Sequence, residues 1–233
     1  MTERPDRQLI ALAALLCVIV VPFVPLGTIV VYPLSLLVTS LHEMGHALAA
    51  LLTGGRVHSI LIYPDTSGVT WSSGGIRWIV ASAGYLGSTF FGFVLLIAAQ
   101  NGRMHRWILG LLLIWFLGFT IFFARNWLAI TLGIAMVVGV SILAKRVQAA
   151  GGAMYFLLDF VALSSCLYAI KDLADLTRFS FGMATASGKT DAQTLADLTG
   201  VHAAVWAFGW ALLSLVAAWL ATRMAWRSAD GTE

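Results

Sequence analysis

The sequence predicts an all-α polytopic membrane protein with six to seven transmembrane helices and a short β-like loop after the second apolar segment. Three observations predict it. Of 233 residues, 60% are hydrophobic and 11% are charged, against roughly 25% charged in a soluble domain. The mean hydropathy is +0.89, and the apolar residues collect in runs long enough to cross a bilayer as helix. Tryptophan is abundant, nine in all, and it favours membrane interfaces. A soluble fold could not cover so much apolar surface with so few charges, so the lipid bilayer is the expected solvent. The net charge of +3 makes no case for a nucleic-acid partner, and the length leaves no room for a second soluble domain.

Taken in order, the apolar segments are about 9–31, 34–52, 76–100, 107–123, 126–144, 152–171 and 201–222. Each has about the 17–25 residues a spanning helix needs, and together they make residues 1–233 one transmembrane domain. The first follows a head carrying Arg4 and Arg7 and reads as a retained span rather than a cleaved signal. Pro22 and Pro25 should kink it. Tyr32-Pro33 should separate the first two segments as a tight hairpin. Residues 54–75 are rich in Gly, Ser and β-branched residues, and read as two short strands around Pro64-Asp65-Thr66-Ser67-Gly68. In the third span, Gly84 and Ser88 have small-xxx-small spacing, which lets helix backbones approach closely. Ala124-Arg125-Asn126 splits the fourth and fifth narrowly. Residues 172–200 form a polar loop with Asp172, Asp175, Asp191 and Asp197. Within it, Thr190-Asp191-Ala192-Gln193 has the form of a capping box, so a short helix starts there and stops near Gly200. Cys17 and Cys166 lie inside apolar runs and form neither a disulfide framework nor a metal spacing.

The second segment carries His42-Glu43-Met44-Gly45-His46, an HExxH motif. On a helix, residues four apart share one face, so the two imidazoles can grip one Zn2+ ion. Glu43 projects beside the metal, placed to take a proton from zinc-activated water and later deliver it to a leaving amine. An apolar span admits ionisable side chains reluctantly, at about 2.5 kcal/mol or more each near the bilayer centre. Three within five positions are hard to justify without a metal. Catalytic zinc usually has three protein ligands, so one is missing. His58, His105 and His202 lie in the loop or near span ends and read as ordinary residues. Asp159, Asp172, Asp175 and Asp191 are the better candidates, and spacing does not choose among them.

An HExGH on an early span, then a Gly-rich strand-like loop, then Ala83-Gly84-Tyr85-Leu86-Gly87-Ser88 resembles the site-2-protease-like intramembrane zinc metallopeptidases, in their compact bacterial-type branch without a PDZ domain. Tyr168 to Asp175 and Thr190-Asp191-Ala192 are similar to that branch's late motifs, so the resemblance covers about residues 34–215. It implies a multi-pass protein of the bacterial inner membrane that hydrolyses peptide bonds of single-span membrane proteins. It implies that His42 and His46 ligate zinc, that Glu43 is the catalytic base, and that a late aspartate completes the site. That aspartate is assigned to Asp172, which ends a span and could dip back toward the metal, with Asp191 as the alternative. Better-known members use an Asp-Gly pair; here the only one is Asp230-Gly231 in the tail. The resemblance also implies that the loop at 57–72 pairs with an extended substrate, through the exposed edge of Ser59 to Tyr63. The competing reading is a non-proteolytic metal-binding membrane protein or transporter, which would spread ionisable groups over several spans.

Overall fold

Apolar helices make up most of the chain. The computed structural model describes residues 7–21, 24–100, 105–146, 155–167 and 189–230. In order these form α1 (Arg7–Val20), α2 (Gly27–Leu52), β1 (Arg56–Ile62), β2 (Gly68–Ser73), α3 (Arg77–Gln100), α4 (His105–Phe122) and α5 (Trp127–Arg146). Then come α6 (Tyr155–Leu167), α7 (Asp191–Thr199) and α8 (Ala203–Asp230). Among the described residues, α2, α3 and α8 are long and apolar enough to cross a membrane, and α1, α4, α5 and α6 contain shorter apolar stretches. Burial ranks the three long helices: 67% of the apolar window of α2 is inside the protein, against 44% for α3 and 28% for α8. So α2 is the central helix and α8 faces outward.

The boundary between the first two helices differs from the sequence expectation. No hairpin forms at Tyr32-Pro33; α2 begins at Gly27 and runs unbroken through Pro33. A proline removes one helical hydrogen bond and crowds the carbonyl four residues before it. Pro33 is exposed and sits in only the second turn of α2, so the lost bond lies near the start of the helix. The chain instead turns before Gly27, with Leu26 left-handed at φ 64° and Gly27 N–H donating to the Val24 carbonyl at 2.8 Å. A Cβ on Gly27 would fall 1.7 Å from the Val21 carbonyl oxygen, so the turn requires glycine there.

β1 and β2 form an antiparallel hairpin in which Ile60 pairs with Thr70 and Ile62 with Gly68. At its tip, Tyr63 N–H donates to the Ser67 carbonyl at 2.9 Å. Asp65 Oδ1 accepts from the Ser67 N–H at 3.0 Å and its hydroxyl at 2.6 Å, the Asx geometry such residues favour. These bonds hold the Asp65 carboxyl below its ordinary range. The hairpin lies along one stripe of α2: Tyr32 OH donates to the Pro64 carbonyl at 2.7 Å and Thr39 Oγ1 to the Thr66 carbonyl at 2.8 Å.

The far edge of β1 is clasped by the α4–α5 connection. Ile60 N–H donates to the Phe123 carbonyl at 2.7 Å, and Arg125 N–H to the Ile60 carbonyl at 3.2 Å. Asn126 completes the clasp: Nδ2 donates to the Ile62 carbonyl at 2.6 Å, and Oδ1 accepts from Ile62 N–H at 3.3 Å and Ala129 N–H at 3.1 Å. Ile60 and Ile62 are fully buried, in a cluster with Met44 on α2, Phe116 and Phe119 on α4 and Ala129 on α5. The hairpin is thus built into the helix bundle rather than laid on it. Asn126→Leu keeps the volume but strands the Ile62 main-chain groups, at a cost of about 1–3 kcal/mol. The expected result is a Tm lowered by roughly 2–10 °C in detergent; an unchanged Tm would show that the clasp contributes nothing.

Candidate metal centre

His42 and His46 stand one turn apart on α2 and face α3. They fit because α3 presents glycine: a Cβ on Gly84 would lie 2.3 Å from His42 Nε2 and 2.6 Å from His46 Nε2. The helix backbones also meet on glycine. A Cβ on Gly45 would sit 2.2 Å from the Ala83 carbonyl oxygen, and one on Gly87 3.0 Å from Gly45 Cα. The small residues of the AGYLGS stretch therefore serve the histidine-bearing helix directly, which small-xxx-small spacing allows but does not require.

The third member comes from α7. Thr190 caps this helix, its hydroxyl accepting from Gln193 N–H while Gln193 Oε1 accepts from Thr190 N–H, a reciprocal capping box. Ala192 and Leu195 are completely buried in a cluster with Ala81 and Tyr85 of α3 and Ala207 and Trp210 of α8. That docking aims Asp191, in the first turn, at the histidines. Asp191 Oδ2 lies 3.0 Å from His42 Nε2 and 3.2 Å from His46 Nε2, and the two Nε2 atoms are 3.0 Å apart. Among the described residues these three are the group of ligand-type side chains close enough to hold a metal ion. Burial alone would raise the Asp191 carboxyl, but the imidazoles of His46 and His42 outweigh it and hold the group below the ordinary carboxylate range.

Surrounding groups fix the imidazoles. His46 Nδ1–H donates to the Val80 carbonyl at 2.6 Å, which leaves Nε2 as the lone-pair nitrogen facing the cluster. The Tyr85 ring meets His42 edge-on at 4.5 Å between centroids and stacks on Trp210 at 4.7 Å. Glu43 turns toward the hairpin, where Thr70 Oγ1 donates to its Oε2 at 2.7 Å. His42, Glu43, His46, Tyr85 and Asp191, with the hairpin tip, Arg77 and Lys189, border one open cavity of about 630 Å³.

The structure brings Asp191 to the histidines, whereas Asp172, assigned first, and Asp175 lie outside the described residues. Asp159 is buried in α6 and is not part of the cluster. His58 Nε2 bonds the Ser73 hydroxyl at 2.8 Å, His202 Nδ1 accepts from Ala204 N–H at 3.2 Å, and His105 opens α4. The expected strand edge is corrected. Ser59 to Tyr63 cannot pair with a further strand, because Ile60 and Ile62 are already bonded to residues 123–126. In an antiparallel pair, partner residues turn their N–H and C=O either both inward or both outward. Ile60 and Ile62 turn outward, so their partners Thr70 and Gly68 turn theirs to the opposite edge. Among the described residues no strand covers that edge of β2, and it borders the cavity.

Sequence reasoning also missed Val80, Gly68 and Thr70. Val80 acts through its carbonyl and leaves no side-chain signal. Gly68 and Thr70 stand two apart on a strand, the spacing of one sheet face, a weak sign without the neighbouring helix. Gly84→Ala should lower metal affinity on the order of 10-fold or more while leaving the α3 helix intact. Elemental analysis after dialysis, with circular dichroism as the fold control, reads this; full retention of metal would mean that the imidazoles are not confined by Gly84.

The family model described as Peptidase M50B-like matches residues 9–221. No curated protein and no solved structure matches the chain. The matched stretch takes in α2 with its HExxH, the hairpin, the glycine-bearing face of α3 and the α7 aspartate. With the apolar helices that mark it as a membrane protein, the chain belongs to the Peptidase M50B-like family.

Proposed function

We propose that this protein is an intramembrane zinc endopeptidase that cuts single-span membrane proteins. The observation that carries the reading is the convergence of His42, His46 and Asp191 beside Glu43, in a cavity walled by an open strand edge. Zinc with bonds of about 2.0–2.1 Å to tetrahedral ligands sets its donors about 3.3 Å apart. The separations of 3.0, 3.0 and 3.2 Å suit that arrangement, as does a donor set of two imidazoles and one carboxylate. Bound there, zinc would supply Lewis-acid polarisation of the scissile carbonyl and acidify water near neutral pH.

The rest of the work falls to the chain. Glu43 would accept the proton of the attacking water and deliver it to the leaving amine. The open edge of β2, at Gly68 and Thr70, would hold an extended segment by main-chain hydrogen bonds. A helical peptide bond has its amide and carbonyl already paired, so the substrate must unwind locally to reach this edge. That requirement points to substrates whose spans contain helix-weakening residues. The resemblance to the compact bacterial-type branch supports placing the protein in a bacterial inner membrane, multi-pass.

The test is made on full-length wild type and Glu43→Gln in detergent, with a panel of single-span proteins carrying Gly, Asn or Pro within the span. Glu43→Gln should keep its zinc and lose cleavage by about 10²–10⁴-fold, the usual worth of a general base. A wild type that binds zinc and cuts nothing in the panel would favour a metal-binding or transport protein instead.

A further inference from the structure

We infer that Thr70 is the residue that positions Glu43. The inference rests on the peptidase reading of the site and goes beyond it in assigning a role to the hairpin. Thr70 Oγ1 lies 2.7 Å from Glu43 Oε2 and 3.0 Å from the Glu43 carbonyl oxygen, so the hydroxyl spans the glutamate from main chain to carboxylate. Threonine is stiff at χ1, and a strand position clasped through β1 to α4 and α5 gives it a fixed base. Two residues earlier on the same face, Gly68 provides the room. A Cβ there would lie 2.7 Å from Glu43 Cγ and 2.8 Å from Glu43 Oε1. β2 therefore offers a notch and then a donor, and the carboxylate rests in the first while bonded to the second. One donor to a carboxylate leaves its other lone pairs free for a proton in transit.

The same residue faces the substrate side. Thr70 turns its N–H and C=O to the open edge of β2 while its side chain holds Glu43. A peptide paired with that edge would be registered against the general base through a single residue. The hydroxyl is not needed for the pairing, so the two roles separate by mutation. Thr70→Val keeps the β-branched shape and the main-chain edge and removes only the donor; Thr70→Ser restores the donor.

The experiment uses the full chain in detergent and two readouts. The first is a double-mutant cycle of thermal stability over Thr70→Val and Glu43→Leu, which removes the carboxylate acceptor, keeps the main-chain one and needs no activity. The expected result is coupling: Thr70→Val lowers the melting temperature less in the Glu43→Leu background, where only the bond to the residue-43 carbonyl remains to be lost, than in wild type; additive shifts would overturn the inference. The second is cleavage of a single-span substrate that wild type cuts. Thr70→Val should lose about 10-fold or more in kcat, with KM and bound zinc unchanged and Thr70→Ser close to wild type, because small misplacements of a reacting group cost up to about 10²-fold. Wild-type kcat in Thr70→Val, or equal losses in the Ser and Val variants, would also overturn it. If wild type cuts no substrate, the peptidase reading fails, and the melting cycle still decides whether Thr70 holds Glu43.

Discussion

Keeping His42, Glu43 and His46 out of the hydrocarbon is the constraint on which the rest of the structure depends. Three ionisable side chains in one apolar helix would each cost about 2.5 kcal/mol or more if they met lipid. Here all three are buried, and α3, α7 and the hairpin share the shielding. α3 covers the imidazoles with Gly84 and anchors His46 through Val80. α7 brings Asp191 to both rings. The hairpin meets Glu43 with Gly68 and Thr70. The apolar side of α2, with Leu41, Met44 and Ala47, packs on α4, α5 and β1. The central position of α2 follows from this: it is the helix with most to hide.

A second constraint acts on the hairpin. Non-helical backbone beside membrane helices is tolerated only where protein covers it or where it lines a cavity. β1 meets the first condition through β2 on one side and residues 123–126 on the other. β2 meets the second, since its outer edge borders the cavity at the histidines. The main-chain groups that the fold leaves unpaired on β2 are therefore the ones that face the cavity.

Much of this was legible in the sequence wherever the signal is local. The HExxH spacing, the turn at Pro64 to Gly68 and the Thr190 capping box each depend on residues within a turn of one another. The membrane class followed from composition. What was not legible depends on where one element docks on another. Asp191 becomes the third member of the cluster because Ala192 and Leu195 bury against Tyr85 and Trp210, a contact no spacing within 172–200 encodes. The edge at Ser59 to Tyr63 looks open in the sequence, but Asn126, 64 residues from Ile62, closes it. The boundary placed at Pro33 gave a proline its usual weight as a helix breaker, while the turn was set by the close approach of Gly27 to Val21.

α2 and α7 together would make one metal site from two imidazoles and a carboxylate. X-ray absorption at the zinc edge, on full-length protein purified in detergent and loaded with one equivalent, tests it most directly. The expected first shell is nitrogen and oxygen at about 2.0–2.1 Å, with the outer-shell scattering of two imidazoles. In Asp191→Asn, one short oxygen contribution should weaken while the imidazole signal remains. A shell without imidazole scattering, or one unchanged by Asp191→Asn, would contradict it.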